Sequence, residues 1–440
     1  MTVRQLKHMA EPVTVPRRGT RLTTVIVIAL FLGIAAGYVS HQFFPQSSAR
    51  FAEIMALMPT AFLRLVKMII APLVFATLVV GIAKMGDIGT VGRIGVKALG
   101  WFLFASLVSL TLGLVLVETF EPGKAMQLAI PASDASTGLK SGALTLEEFI
   151  SHLIPTSVID AMSRNEILQI VVFSVFFGVA MAALGERTKL VVAGLDGVSM
   201  IMLKVTGYVM LFAPLAVFGA LASTVAKEGL GIIRVYGLFV GEFYLGILIL
   251  WGVLTALGAF FLGPRVLQLV RRVREPVLLA FSTASSEAAY PKTLEELERF
   301  GVSNRIASFV LPVGYSFNLD GSMMYCTFAV MFIAQVYGIE ISLGEQIVMV
   351  AILMLTSKGM AGVPRASLVV IAATLAQFNI PVAGLVLLLG VDHFLDMGRS
   401  ATNVVGNSIA TAVVARWEGE LREADQPAAR AAAAPSAQEG

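Results

Sequence analysis

Residues 276–291 read PVLLAFSTASSEAAYP, and residues 346–379 run apolar to TSKGMAGVPRAS (356–367) and apolar again beyond it. A bilayer-crossing helix takes about 20 mostly apolar residues. Neither stretch fits that plan. The first turns polar at STASSE (282–287), with Pro291 just behind, and the second turns at a Ser/Gly/Pro corner. Each therefore reads as a re-entrant hairpin, which is tolerated at membrane depth only where it is buried in protein or lines a cavity. The segment after each hairpin also repeats. The first hairpin precedes a helix broken by NLDG (Asn318 to Gly321), the second a helix carrying DMGRSATN (Asp396 to Asn403). One hairpin enters from the inside and the other from the outside, which makes an inverted-topology repeat. Paired, Gly/Pro-interrupted segments of this kind mark the binding site of a secondary transporter. The competing reading, two ordinary helices with awkward loops, needs the two polar tips to coincide by chance.

The surrounding composition agrees. Of 440 residues, 57 % are hydrophobic and only 14 % charged, against roughly a quarter charged in soluble domains. The chain reads as an integral membrane protein, and its long continuous apolar runs exclude the alternating strands of an outer-membrane barrel. The net charge of +3 gives no nucleic-acid footprint. One cysteine, Cys326, and four histidines leave no disulfide, thiolate cluster or His-rich metal site to expect, and no cofactor is implied.

Eight full crossings are expected, at about 22–44, 54–83, 94–118, 166–185, 197–224, 236–263, 306–336 and 384–416. Arg4, Lys7, Arg17, Arg18 and Arg21 place the N-terminus in the cytoplasm, with no cleavable leader. Lys84, Arg93 and Lys97, then Arg187 and Lys189, then Arg265, Arg271, Arg272 and Arg274 fall on the same side if the count holds. The charge-poor loop 119–165 is then external. Residues 1–21 form a cytoplasmic segment, 22–417 the membrane unit, and 418–440, rich in Ala and Pro, a disordered cytoplasmic tail.

An ionisable group at a helix centre costs roughly 2.5–3.5 kcal/mol on insertion scales. Asp392, Asp396, Arg399, Asn403 and Asn407 are spaced 4, 3, 4 and 4, which puts them on one face. Asp396 and Arg399 read in two ways. They neutralise each other, or Arg399 binds a carboxylate through its planar fork while Asp396 binds an ammonium. Asp320, beside Asn318 and a glycine, suits a hard cation or a proton, or is a buried carboxylate paired to a neighbouring helix. Ser282, Thr283, Ser285 and Ser286 either hold a carboxylate or satisfy a tight turn. Glu287 at the same tip is a candidate proton carrier. Arg64, Lys67 and Lys204 read as interfacial snorkelling residues. A serine hydrolase built on Ser285 or Ser286 would need a base beside it, and none of His8, His41, His152 and His393 is placed to serve. A channel is the other competing class.

STASSEAAYP (282–291), GYSFNLDGSMMY (314–325), TSKGMAGVPRAS (356–367) and DMGRSATNVVGN (396–407) together resemble the dicarboxylate/amino acid:cation symporter family, the glutamate transporter family, over about residues 22–417. The pattern looks most like the bacterial proton/glutamate symporters. The resemblance implies an all-α fold of eight transmembrane helices and two re-entrant hairpins in a homotrimer of the bacterial inner membrane, surrounded by lipid. A scaffold (about 22–83 and 166–224) would hold an elevator-like transport domain (about 94–118 and 236–416). For substrate it implies Ser285 and Ser286, the backbone of Val363, Pro364, Arg365, Ala366 and Ser367, then Ser322, Asp396 for an amino group, Arg399 for the side-chain carboxylate, Ser400 and Asn403. Coupling would involve Glu287, Gly314, Asn318, Asp320, Lys358, Asn403 and Asn407. Members restricted to C4-dicarboxylates often have serine at the position of Asp396, which favours glutamate or aspartate. Three departures bear on coupling. Asn407 stands where sodium-coupled members have aspartate, Ala105 where another cation site has threonine, and Lys358 where they have an uncharged residue. The implied activity is proton-coupled import of acidic amino acids, with a C4-dicarboxylate symporter or a sodium-coupled member as the alternative. Arg365 departs from a common glycine. It offsets the lost first-tip arginine, whose position is Ala284, or faces water at the gate.

Overall fold

The computed structural model describes residues 19–85, 88–125, 153–229, 232–357, 366–389 and 391–422. They are helical almost throughout. The longer helices are α1 (Gly19–Phe43), α2 (Pro45–Met85), α3 (Ile88–Phe120), α4 (Ile167–Leu184), α5 (Lys189–Val209), α6 (Ala213–Glu228), α7 (Ile232–Leu262), α8 (Arg265–Arg272), α9 (Arg274–Thr283), α10 (Tyr290–Phe300), α11 (Asn304–Phe317), α12 (Asp320–Val336), α13 (Leu343–Thr356), α14 (Ala366–Gln377) and α15 (Asp392–Trp417). Six apolar stretches among the described residues are long enough to cross a bilayer: Thr24–Phe43, Pro45–Ala83, Gly89–Lys124, Ile167–Lys227, Tyr236–Leu262 and Asn304–Val336.

Several boundaries differ from the sequence expectation. The second expected crossing starts at Pro45, since Pro59 and Pro72 are absorbed inside one 41-residue helix. The fifth is divided into α5 and α6 by a 3₁₀ turn at Met210–Phe212, next to Pro214, which sits in the first turn of α6. The seventh breaks at Asn318 and Leu319, whose backbones leave the helical region, within NLDG. The last is shorter than expected, because 382–389 form two small turns ahead of α15.

Two groups of packed helices make up the bundle. In one, α2 packs against α1, α4, α5 and α6, and α1 against α6; in the other, α15 is flanked by α3, α7, α9, α11 and α12. Gly33 and Gly37 lie one turn apart on α1, and a Cβ at either would run into the α6 backbone at Phe218 or Ala222. Small residues at this spacing let two membrane helices approach closely. In the second group every residue of α15 from Met397 to Ala415 is buried. The polar side chains on it cannot snorkel to water, so each needs a partner inside the protein.

The two interrupted stretches fare differently. Helix α9 ends on Ala284, in the left-handed region at φ 49°, a short 3₁₀ turn follows at Glu287–Ala289, and α10 begins with Pro291 in its first turn. STASSE is thus a turn between two short helices. The corner 358–365, between α13 and α14, lies outside the described residues.

The expected tail requires a later start. Glu418 to Arg422 pack against the protein: Leu421 forms an antiparallel bridge with Val302, the Ser303 amide donates to the Glu420 carbonyl, and Arg305 pairs with Glu420. Residues 423–440 lie outside the described residues.

Candidate functional site

The interior of α15 organises two polar clusters. In the first, Arg399 donates through Nη2 to Asp392 Oδ1 at 3.1 Å and to Asp396 Oδ1 at 3.0 Å. Spacings of seven and three residues bring both carboxylates to the face of the arginine. The Tyr325 ring of α12 lies 4.1 Å from the guanidinium carbon, a cation–π contact, and its hydroxyl donates to Asp392 Oδ1 at 3.3 Å. The Arg399 side chain is 2 % exposed, while Asp396 remains 36 % exposed. Nε and Nη1 of Arg399 are buried and, among the described residues, have no hydrogen-bond partner. Orphaned donors on a buried guanidinium are expensive, and they are placed to receive a carboxylate bidentately.

The helix is held in place from the side by α7. Tyr244 donates to the Phe394 carbonyl at 2.6 Å, and the Trp251 indole donates to Thr402 Oγ1 at 2.8 Å. Toward the middle of α15, Asn403 Oδ1 accepts from the Gly321 amide at 2.9 Å, and Asn403 Nδ2 donates to Ser322 Oγ at 3.4 Å. Asn403 therefore ties α15 to the first turn after the break in NLDG.

The second cluster sits at that break. Asp320 accepts from Asn318 Nδ2 at 2.9 Å and from the Ser109 hydroxyl of α3 at 3.2 Å. Asn318 Nδ2 also reaches Asn407 Oδ1 at 3.3 Å. Asn318 Oδ1 and Asn407 Nδ2 are buried and, among the described residues, without partners. Side chains at Gly406 and Gly314 would collide with Asp320 and Asn407 respectively, so the cluster is as tight as glycine allows. One orphan is an acceptor and the other a donor, a pair that suits a group able both to donate and to accept better than it suits a bare cation, which takes acceptors only.

The remaining expected residues lie elsewhere or are differently engaged. Ser285 Oγ accepts from the Ala288 amide, and Ser282 and Thr283 donate to carbonyls one turn back, so three of the four tip hydroxyls stabilise local backbone. Ser286 and Glu287 are half-buried at the tip. Ser367 and Ser400 are buried. Lys358, Val363, Pro364 and Arg365 lie outside the described residues, as does the side chain of Ala366. The sequence reading missed Tyr325, Ser109, Tyr244 and Trp251. Tyr325 closes the GYSFNLDGSMMY run, but nothing in linear spacing sets a ring of α12 under an arginine of α15. Ser109 lies one turn beyond Ala105 and Ser106, the only signal that could have found it.

Long apolar helices around a buried arginine with unfilled donors, beside a second polar cluster at a broken helix, define a multi-pass membrane transporter. The chain belongs to the sodium:dicarboxylate symporter family, whose model matches residues 22–417. It is similar to proteins named C4-dicarboxylate transport protein. That of Rhizobium johnstonii is 40 % identical over 413 residues, covering 92 % of this chain and 92 % of the relative. That of Laribacter hongkongensis is 39 % identical over 401 residues, 90 % and 89 %. That of Bacillus subtilis is 38 % identical over 407 residues, 92 % and 95 %.

Proposed function

We propose that the protein is a secondary symporter importing a four-carbon dicarboxylate, with one carboxylate seated on Nε and Nη1 of Arg399. The observation that carries this is the pair of buried, unpartnered donors on that guanidinium. The names of the relatives support the C4 class. A second reading, acidic amino acids, is favoured by Asp396, the one carboxylate of the cluster with substantial exposure. An ammonium group on the substrate would give it a second cationic partner beside Arg399, which a plain diacid cannot. Aspartate belongs to both readings, so the distinction is whether the amino group is required.

In this proposal α1, α2, α4, α5 and α6 are the static scaffold of a trimer, and the group around α15 is the moving body. The turn at 284–289 is a re-entrant tip that gates the site. The two packing groups meet chiefly where α11 lies on α2, and that boundary is where the moving body would slide. Coupling is to protons, in the inner membrane with both termini cytoplasmic. The support is chemical: Asn407 supplies no charge, Ala105 no hydroxyl, and Lys358 adds a like charge to any cation bound near it.

Uptake of labelled succinate, aspartate and glutamate into proteoliposomes, with sodium and pH gradients set independently, tests the proposal. Accumulation driven by an inward proton gradient without sodium is expected. Strict sodium dependence at a saturating proton gradient rejects the coupling. Transport of none of the three rejects the substrate class.

A further inference from the structure

We infer that Glu242 on α7 is a proton-carrying carboxyl of this symporter, an inference that rests on the proton-coupled reading above. Between Tyr236 and Leu262 it is the sole Asp, Glu, Lys or Arg on the helix. It lies ten residues in from Ile232, or about 15 Å at 1.5 Å per residue. One turn to either side, and two turns on, the same stripe carries Leu238, Leu245 and Ile249, exposed by 49, 46 and 37 %. Glu242 thus lies at the edge of an apolar strip that faces outward from the bundle, between that strip and the buried face carrying Phe239 and Gly246. Its Oε2 is buried and, among the described residues, has no hydrogen-bond partner.

The charged groups on the elements packed against α7 are engaged elsewhere or lie at the far end of the helix, where Arg416 of α15 sits beside the Trp417–Phe261 contact. On α15, Asp392 and Asp396 hold Arg399, and His393 has an interaction of its own. On α12, Asp320 is bonded to Asn318 and Ser109. On α3, Arg93 and Lys97 hold Glu418, and Glu118 accepts from Gln346. Lys124 pairs with Glu121. Arg265, Arg271 and Arg272 of α8 lie past the opposite end of α7. A carboxylate with no counter-ion among the described side chains is, at such a place, the costly form, and the neutral acid is the cheap one. The group therefore crosses the apolar layer carrying a proton taken from the outer solution. It returns that proton to the inner solution; no other bond changes.

The next two residues connect this position to the substrate cluster. Phe243 packs edge-on against Tyr325, the ring beneath Arg399, with centroids 5.6 Å apart. Tyr244 donates to the carbonyl of Phe394, two residues before Asp396. A change of charge at Glu242 that shifts α7 is thus felt directly at the carboxylate-binding arginine.

The experiment compares wild type, Glu242→Gln and Glu242→Asp in proteoliposomes without sodium. Three readouts are taken with labelled succinate, or aspartate if that is the substrate taken up: accumulation under an inward proton gradient, the pH profile of uptake, and exchange at equal pH. If wild type does not accumulate substrate on a proton gradient, the proton-coupled reading fails and this inference falls with it. If wild type does, Glu242→Gln is expected to lose gradient-driven accumulation and the pH dependence of uptake, while exchange persists. Glu242→Asp is expected to keep accumulation with a displaced pH profile. Accumulation and a pH profile like wild type in Glu242→Gln would overturn the inference. Should Glu242→Gln fail to exchange at all, an undisplaced profile in Glu242→Asp overturns it instead.

Discussion

At Arg399 three groups compete for one guanidinium. Asp392, Asp396 and the Tyr325 ring occupy part of it, and Nε and Nη1 have no hydrogen-bond partner among the described residues. Arg399→Cys removes the one cation that the described residues place in the cluster and leaves two carboxylates together, so dicarboxylates should be repelled. Losing charged hydrogen bonds worth about 1.5–3 kcal/mol predicts roughly a tenfold to hundredfold loss of affinity, read as a rise in the half-saturating concentration for uptake. Unchanged uptake of succinate and aspartate by Arg399→Cys would take the arginine out of the binding step. Asp396→Ser is expected to weaken aspartate while sparing or improving succinate, since only aspartate carries an ammonium for Asp396 to hold. The ratio of the two inhibition constants in competition assays measures this. If both substrates change by the same factor, Asp396 serves only to hold Arg399. The polar face itself was legible in the linear spacing 4, 3, 4 and 4, because helical periodicity is a property of neighbours in sequence. Whether its charges neutralise each other or serve a ligand was not, because that depends on which atoms remain unpaired after packing.

Helix α15 and the short segment beyond it depend on a charged contact for stability. Glu418 lies immediately past the helix, its side chain 4 % exposed, and accepts from Arg93 Nη2 at 2.9 Å and Lys97 Nζ at 2.6 Å. The hydrogen bonds from Arg93, with those from Lys97 and the charges of both, hold its carboxyl below the usual carboxylate range against the opposing effect of burial. A depressed pKa contributes stability that is present above the unfolded value, about 4.3 for glutamate, and is lost as pH falls through the folded value. Glu418→Gln should therefore lower the melting temperature of the detergent-solubilised protein near neutral pH. The gap from wild type should close below pH ~4. A gap that stays constant across that range would mean that packing, not charge, holds this segment. Composition suggested disorder from residue 418 onward. The first five of these residues are ordered because two cations 325 and 321 positions upstream happen to converge on one carboxylate.

For the molecule as a whole, the test is whether the two helix groups move past one another. Gly81 of α2 and Ser308 of α11 meet across their boundary, with a Cβ at Gly81 falling 3.0 Å from the serine hydroxyl. Ala52 of α2 and Ser223 of α6 meet within one group, through a 2.8 Å hydrogen bond. A Gly81→Cys/Ser308→Cys pair, once oxidised, should stop transport, and a reductant should restore it. An oxidised Ala52→Cys/Ser223→Cys pair should leave transport running. Cys326 is fully buried and stays outside this chemistry. If both crosslinked proteins transport equally well, the groups do not slide relative to each other.

Membrane residence, the interrupted stretches and the polar stripe of the last helix came from the sequence alone. Each is set by composition or by spacing over a few turns, and water, lipid and helical geometry act on those locally. The tertiary structure decided the partners: Tyr325 beneath Arg399, Ser109 on Asp320, Tyr244 and Trp251 behind α15. Those contacts join residues 74 to 211 positions apart. Burial forces a polar group to find some partner, but a linear pattern carries no record of which distant helix will supply it.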